Sequence, residues 1–308
     1  MMNFFNRFKP PTDEQRAAQA QSLARQDDIL NALRTNRVPE ITRARLADAR
    51  SAKLPWLSTL TPAEMLIARS HGIRPIAAVS ATCWLQYGYS WTEGHVEGWE
   101  TAMRRLREEA KAAGANAVLD VKMRTLPVYI ENSMDFTLVG TAVRIEGLPP
   151  SDDPVIVTLP ALEFVKLLEA DVVPTGIAVG ASFEWLNDWY GNANPAGWWN
   201  METQWLTRLL ETVRYRAHGE LARHAQAMGN GVLAHINFSQ LFEREGQNEM
   251  KSYLARFIVI ATVVDAKKGA TIPHDVQIVV DMHAGATPLT GTSRHHQSYA
   301  TNEEDGAI

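Results

Sequence analysis

Apolar residues recur between positions 96 and 113 at alternating three- and four-residue steps: Val96, Trp99, Met103, Leu106, Ala110 and Ala113. That spacing draws one apolar stripe along an α-helix, and Gly114 suits its C-terminal cap. A second stripe, Trp205, Leu209, Val213, Ala217, Leu221 and Met228, predicts another long helix ending near Gly229. Each helix is preceded by a run rich in small and β-branched residues, Ile73 to Cys83 and Val172 to Phe183, which reads as a buried strand. Each is followed by two more strands. The first pair is Ala117 to Thr125 and Phe136 to Ile145; the second lies around Val232 to Phe242 and Leu254 to Val264. Strict alternation puts Leu119, Val121 and Met123 on one face and Asp120, Lys122 and Arg124 on the other.

The two series repeat one another. Thr59 to Trp84 reads TLTPAEMLIARSHGIRPIAAVSATCW and Thr158 to Phe183 reads TLPALEFVKLLEADVVPTGIAVGASF. Leu60 and Leu159, Glu64 and Glu163, and Pro75 and Pro174 each stand 99 residues apart. Such a period is domain-sized, well above the roughly 20–50 residues of solenoid repeats. Thr61-Pro-Ala-Glu64 is a capping box with proline at the first helical position and opens a short helix; Leu159 to Ala170 is its counterpart. The final strands share Phe136-x-x-x-Gly140-Thr141-Ala142-Val143 against Phe257-x-x-x-Ala261-Thr262-Val263-Val264. One register is open to two readings. Letter matching pairs Val118-Leu119 with Val232-Leu233, whereas pairing Gly114 with Gly229 keeps Leu119, Val121 and Met123 on the face of Ala234, Ile236 and Phe238. A one-residue slip inverts every side chain, so the second pairing is expected.

The predicted architecture is α+β: two tandem β-α-β-β domains, each a small sheet under one long helix. The divisions are an N-terminal helical extension over 1–53, domains at 54–148 and 154–266, an extra strand within 267–283 (Val276 to Met282), and a disordered tail over 284–308 rich in Gly, Thr, Ser and His. In the extension, Thr12 is the expected N-cap of a helix over 12–34, and Pro39 and Pro55 punctuate the segment between that helix and the first domain. Pro149-Pro150-Ser-Asp-Asp153 is the linker.

The residues Ala112-Ala113-Gly114-Ala115-Asn116-Ala117-Val118 and Val139-Gly140-Thr141-Ala142-Val143, with the strand and long helix before them, resemble the YbjQ-like family. That is a small bacterial domain labelled heavy-metal-binding. The resemblance covers about 60–147 and, more weakly, 159–266, where Ala261 replaces the glycine. It implies a β-α-β-β core that assembles into rings, typically pentamers. Edge physics points the same way: a three-stranded sheet with one covering helix leaves edges and one face open, and rotational assembly closes them. The two copies can also serve each other within one chain.

Composition narrows the function. Hydrophobic residues make up 45% and charged residues 21%, an ordinary globular balance. A net charge of −5 argues against a dedicated nucleic-acid binder. Residues 1–53 carry ten Lys/Arg and six Asp/Glu, leaving −9 for the rest: a basic arm on an acidic body. The single cysteine, Cys83, excludes an internal disulfide and suits a reducing, cytoplasmic location. Phe4, Phe5 and Phe8 beside Arg7 and Lys9 offer a membrane-surface contact through residues 1–11, against the plainer reading of a frayed terminus.

Aromatic residues crowd the connectors between first strand and long helix. Trp84, Tyr87, Tyr89 and Trp91 stand in the first, and Trp185, Trp189, Tyr190, Trp198 and Trp199 in the second. Such residues bring large contact area at low entropy cost, so interface, local core and ligand pocket are the three readings, in that order. Trp99 and Trp205 lie on the helix stripes. Cys83 and His95 are the residues a metal would use, but one thiol and one imidazole fall short of the four ligands of a structural zinc. Catalytic signatures (GxSxG, a phosphate-binding GxxxxGK[ST] loop, HExxH, a dinucleotide fingerprint after a strand) are not found. The expectation is a non-catalytic, ring-forming binding or scaffold protein with no cofactor and an unnamed protein partner. A metal- or small-ligand-binding protein and a peripheral membrane-surface protein are the alternatives.

Overall fold

The computed structural model describes residues 12–86, 88, 90–127, 133–147, 149–188, 204–245 and 251–266. Residues 1–11 and 267–308 lie outside them, as do the predicted extra strand and tail and any membrane contact of the N-terminus. Among the described residues no helix is long and apolar enough to cross a membrane.

The extension forms α1 (Asp13–Thr35) and α2 (Glu40–Arg50). Thr12 caps α1 through a full capping box with Gln15. The first half then runs α3 (Pro62–Ser70), β1 (Ile73–Gln86), α4 (Trp91–Ala112), β2 (Ala117–Pro127) and β3 (Ser133–Ile145). A two-residue strand β4 (Val155–Ile156) comes next, and the second half runs α5 (Ala161–Glu169), β5 (Val172–Asp188), α6 (Gln204–Gln226), β6 (Gly231–Glu245) and β7 (Lys251–Ala266). Thr61 and Glu64 make the predicted capping box of α3. The sheets are ordered β1-β3-β2-β4 and β5-β7-β6. The mixed α+β class is as expected.

Four local devices recur in both halves. A register shift follows Pro75 in β1 and Pro174 in β5. Asn116 exchanges hydrogen bonds with the backbone of Ile145, and Asn230 does the same with Ala266. Thr141 Oγ1 accepts from the Thr59 amide at 2.7 Å, and Thr262 Oγ1 from the Thr158 amide at 3.2 Å. A bulge opposes Gly140 in β2 and Ala261 in β6.

That bulge corrects the expected register. Leu119 pairs with Thr141 and Leu233 with Thr262, so Val118-Leu119 corresponds to Val232-Leu233 after all. The glycines Gly114 and Gly229 do match as helix ends, but the second half has one residue fewer between its glycine and its strand. Face inversion is avoided because Asp120, at φ 53°, takes the left-handed conformation and breaks the alternation. Leu119 consequently packs with Val143 and Leu159, while Val121 and Met123 pack with Val118 under α4.

The layers are sheet, α4, sheet, α6. Residues Leu209, Val213, Ala217, Leu221 and Ala225 form the buried stripe of α6. Their counterparts 115 positions earlier, Gly94, Gly98, Ala102, Leu106 and Ala110, are buried on α4. Helix α4 also buries His95, Trp99 and Met103. The corresponding α6 residues are half-buried Leu210 and exposed Arg214 and His218. The extra stripe is explained by Ile177, Val179, Ala181, Ile258 and Ile260, which belong to the same core as α4 and the first sheet. The first half's helix thus covers the outer face of the second half's sheet, within one chain.

Candidate functional site

The centre of the molecule is an aromatic cluster at the N-terminal end of α4, where both sheets meet it. Ser90 caps the helix, and one turn in, His95 is fully buried. Its ring lies 5.0 Å from Phe136 of β3 and 5.3 Å from Phe183 of β5, both edge-on. Trp91 meets Phe183 at 6.0 Å, and Trp99 meets Phe136 at 5.1 Å. Gly98 makes this closeness possible: a Cβ there would stand 2.2 Å from Phe136.

One hydrogen bond fixes the tautomer of the buried histidine. Trp99 Nε1–H donates to His95 Nε2 at 2.9 Å, one helical turn apart. Nε2 is therefore the acceptor and the imidazole is neutral, its proton on Nδ1. Burial, assisted by the Arg256 guanidinium, holds the His95 pKa well below its usual 6.5. Arg256 is itself buried on β7, with Nη1 3.4 Å from Met134 Sδ. Cys83 is buried on β1 opposite Phe136, and desolvation raises its thiol pKa above 9.0.

These residues do not fit a metal ion. A ligand histidine offers a free ring lone pair, and that of His95 is taken by the Trp99 indole. A ligand cysteine is a thiolate, and burial keeps Cys83 protonated. Among the described residues no three His, Cys, Asp or Glu gather where they could hold an ion. A thiol reagent such as dithiobis(nitrobenzoate) is expected to label Cys83 at least about 100-fold more slowly in the native protein than in denaturant, because attack needs an exposed thiolate. Equal rates would show an open, reactive cysteine.

Sequence reasoning placed the aromatic candidates unevenly. Trp91 belongs to the buried cluster rather than to a free connector. Trp84 is 58% exposed and Trp185 42% exposed. Tyr87, Tyr89, Trp189, Tyr190, Trp198 and Trp199 lie outside the described residues. Sequence reasoning also missed Arg256, Phe183 and Met134. For Arg256 the signal was present: a lone cation inside the apolar run Tyr253-Leu-Ala-Arg-Phe-Ile-Val-Ile260.

The matched segment of the chain decides the comparison. Residues 88–146 match the YbjQ family. The description of that family is "Putative heavy-metal-binding". The match spans α4, β2 and β3, so it contains His95, Trp99, Met134 and Phe136 but not Cys83. No curated protein and no solved structure matches the chain. The YbjQ segment therefore carries the helix and half of the aromatic cluster, and the second sheet supplies the other half through Phe183 and Arg256.

The surface the cluster leaves open is the outer face of the first sheet. On β1 that face presents half-buried Ala78 and exposed Ser80, Thr82 and Trp84; β2 adds exposed Lys122 and Arg124. The equivalent face of the second sheet, Ile177, Val179, Ala181 and Phe183, is the one packed on α4. Trp84 thus occupies the position of Phe183, with no helix over it among the described residues. The edge of β1 is closed separately: Arg105 Nη1 donates to the Thr82 carbonyl at 2.7 Å, and the Ser80 amide donates to Glu109 at 3.2 Å.

Proposed function

We propose that this chain is a non-catalytic, self-associating binding protein: two YbjQ-like units fused in tandem, which repeat between chains the contact they make within one. The observation that carries this reading is exposed Trp84. Its counterpart Phe183 is gripped by Trp91 and His95 of α4. The α6 residues corresponding to Trp91 and His95 are Leu206 and Leu210, beside a Trp205 that is 47% exposed. One end of the chain offers an aromatic knob and the other an apolar seat. A knob on one end and its seat on the other make a head-to-tail contact, which closes into a ring when the rotation permits.

The rest of the two surfaces is polar, with Ser80 and Thr82 on one and Arg214 and His218 on the other. The contact between chains is therefore weaker than the one inside, and assembly is reversible and concentration-dependent. Native mass measurement is expected to give multiples of 34.3 kDa that fall to the single chain on dilution. Trp84→Ser is expected to shift the association midpoint at least about tenfold in concentration, the loss of one buried aromatic anchor. A wild-type protein that stays at single-chain mass at every concentration would remove the proposal.

A further inference from the structure

Among the described residues the second sheet has one strand fewer than the first. In the first, β4 lies parallel to β2, with Val155 opposite Ala117 and Ile156 opposite Val118. The Val157 amide donates to the Val118 carbonyl, and the amides of Val121 and Asp120 donate to the carbonyls of Val157 and Leu159. Val118 and Ile156 are both fully buried. In the second sheet β6 is the end strand among the described residues. Val232, the counterpart of Val118, is 42% exposed there. An apolar residue at a bare strand edge is a liability that folded proteins ordinarily cover.

The chain carries a second version of the covering segment. Gly147-x5-Asp153-x2-Ile156-Val157 follows β3 and supplies β4. Gly269-x5-Asp275-x2-Ile278-Val279 follows β7 with the same spacing. Ile145 ends β3 two residues before Gly147, and Ala266 ends β7 three residues before Gly269. The connection is thus one residue longer and reaches the same distance. We infer that residues 277–280 add as a fourth strand to the β6 edge that no described strand covers, parallel to it, with Ile278 opposite Val232. This completes the order β5-β7-β6-tail, as β1-β3-β2-β4 is complete. It closes the β6 edge to foreign strands and leaves the Trp84 face and the outer side of α6 as the surfaces for association. The inference stands whether or not the chains self-associate.

Neighbouring strands place opposed Cα atoms about 5 Å apart, within disulfide reach. The test uses the full chain with Cys83→Ala, adding Val232→Cys and Ile278→Cys together. Under mild oxidation this pair is expected to form an intramolecular disulfide, while a control pair on the opposite edge, Val173→Cys with Ile278→Cys, does not. A disulfide-linked dimer would mean that a second copy covers the edge and would overturn the inference. So would no link, or equal linking of the two pairs. A second measurement avoids reliance on the bridge: Val232→Cys alone is labelled by a thiol reagent with the tail intact and with Val279→Pro, the counterpart of Val157, whose amide donates to the Val118 carbonyl. Labelling is expected to rise about tenfold or more when proline removes the strand amide. Unchanged labelling would equally overturn the inference.

Discussion

Gly180→Ala is expected to destabilise the protein by about 3 kcal/mol, read as a fall in the urea or thermal unfolding midpoint. The direction opposes the usual effect of the change. In a strand or loop that tolerates it, alanine for glycine stabilises by up to ~1 kcal/mol, because the unfolded chain loses freedom. Here the added Cβ would lie 2.1 Å from the Ala217 carbonyl oxygen and 2.7 Å from the Leu221 amide nitrogen. Both are backbone atoms in the middle of α6, so relief requires the helix to lift off β5 as a body. Ala178, Val213, Ala217 and Leu221 pack in that layer, and lifting the helix loosens all of them. Gly219→Ala supplies the internal control. It sits on the same helix, and a Cβ there meets nothing within 4 Å. That variant is expected to gain up to ~1 kcal/mol from helix propensity. If both variants shift stability in the same direction, the tight approach of α6 to β5 is wrong.

The two halves solve this approach differently, which bears on what the sequence could reveal. In the second half the strand supplies the glycine and the helix comes down onto it. In the first half the helix supplies Gly98, and Phe136 fills the notch. Period and capping gave the helices reliably, because Thr12, Thr61 and the apolar stripes are local signals. Helix α2 escaped notice because its start at Pro39 reads as punctuation, and only Leu46 is buried on it. The β2 register escaped for a better reason. Alternation is a trustworthy guide only along an unbroken strand, and Asp120 breaks it with a left-handed turn that no pattern of apolar letters announces. The second buried stripe of α4 was present in the sequence as His95, Trp99 and Met103. Its purpose was not, since it faces a sheet whose residues arrive more than 70 positions later. A cluster built from Phe136, Phe183 and Arg256 exists only once the two sheets close on one helix.

The buried imidazole at that junction ties acid sensitivity to the packing of the two halves. His95 has a folded-state pKa well below 6.5, from burial first and from Arg256 second. A depressed basic group means that the unfolded chain binds the proton more readily than the folded one. Stability therefore rises with pH between the folded and unfolded values and is complete above about 6.5. Falling pH removes it, at up to about 1.4 kcal/mol per pH unit for one proton. The chemical reason is visible in the cluster. Protonation would turn Nε2 from an acceptor into a donor, directed at the Trp99 N–H, and would add a cation near Arg256 in a layer of aromatic rings. His95→Gln keeps a group able to accept from Trp99 but does not titrate. Urea unfolding at pH 7.5, 6.5 and 5.5 is expected to show the wild type losing about 1 kcal/mol more than this variant between 6.5 and 5.5. Carboxylates and the exposed histidines contribute equally to both proteins, so the difference isolates His95. Parallel pH dependences would mean that the imidazole is not confined between the two sheets, and with it would go the claim that α4 is the shared core of both halves.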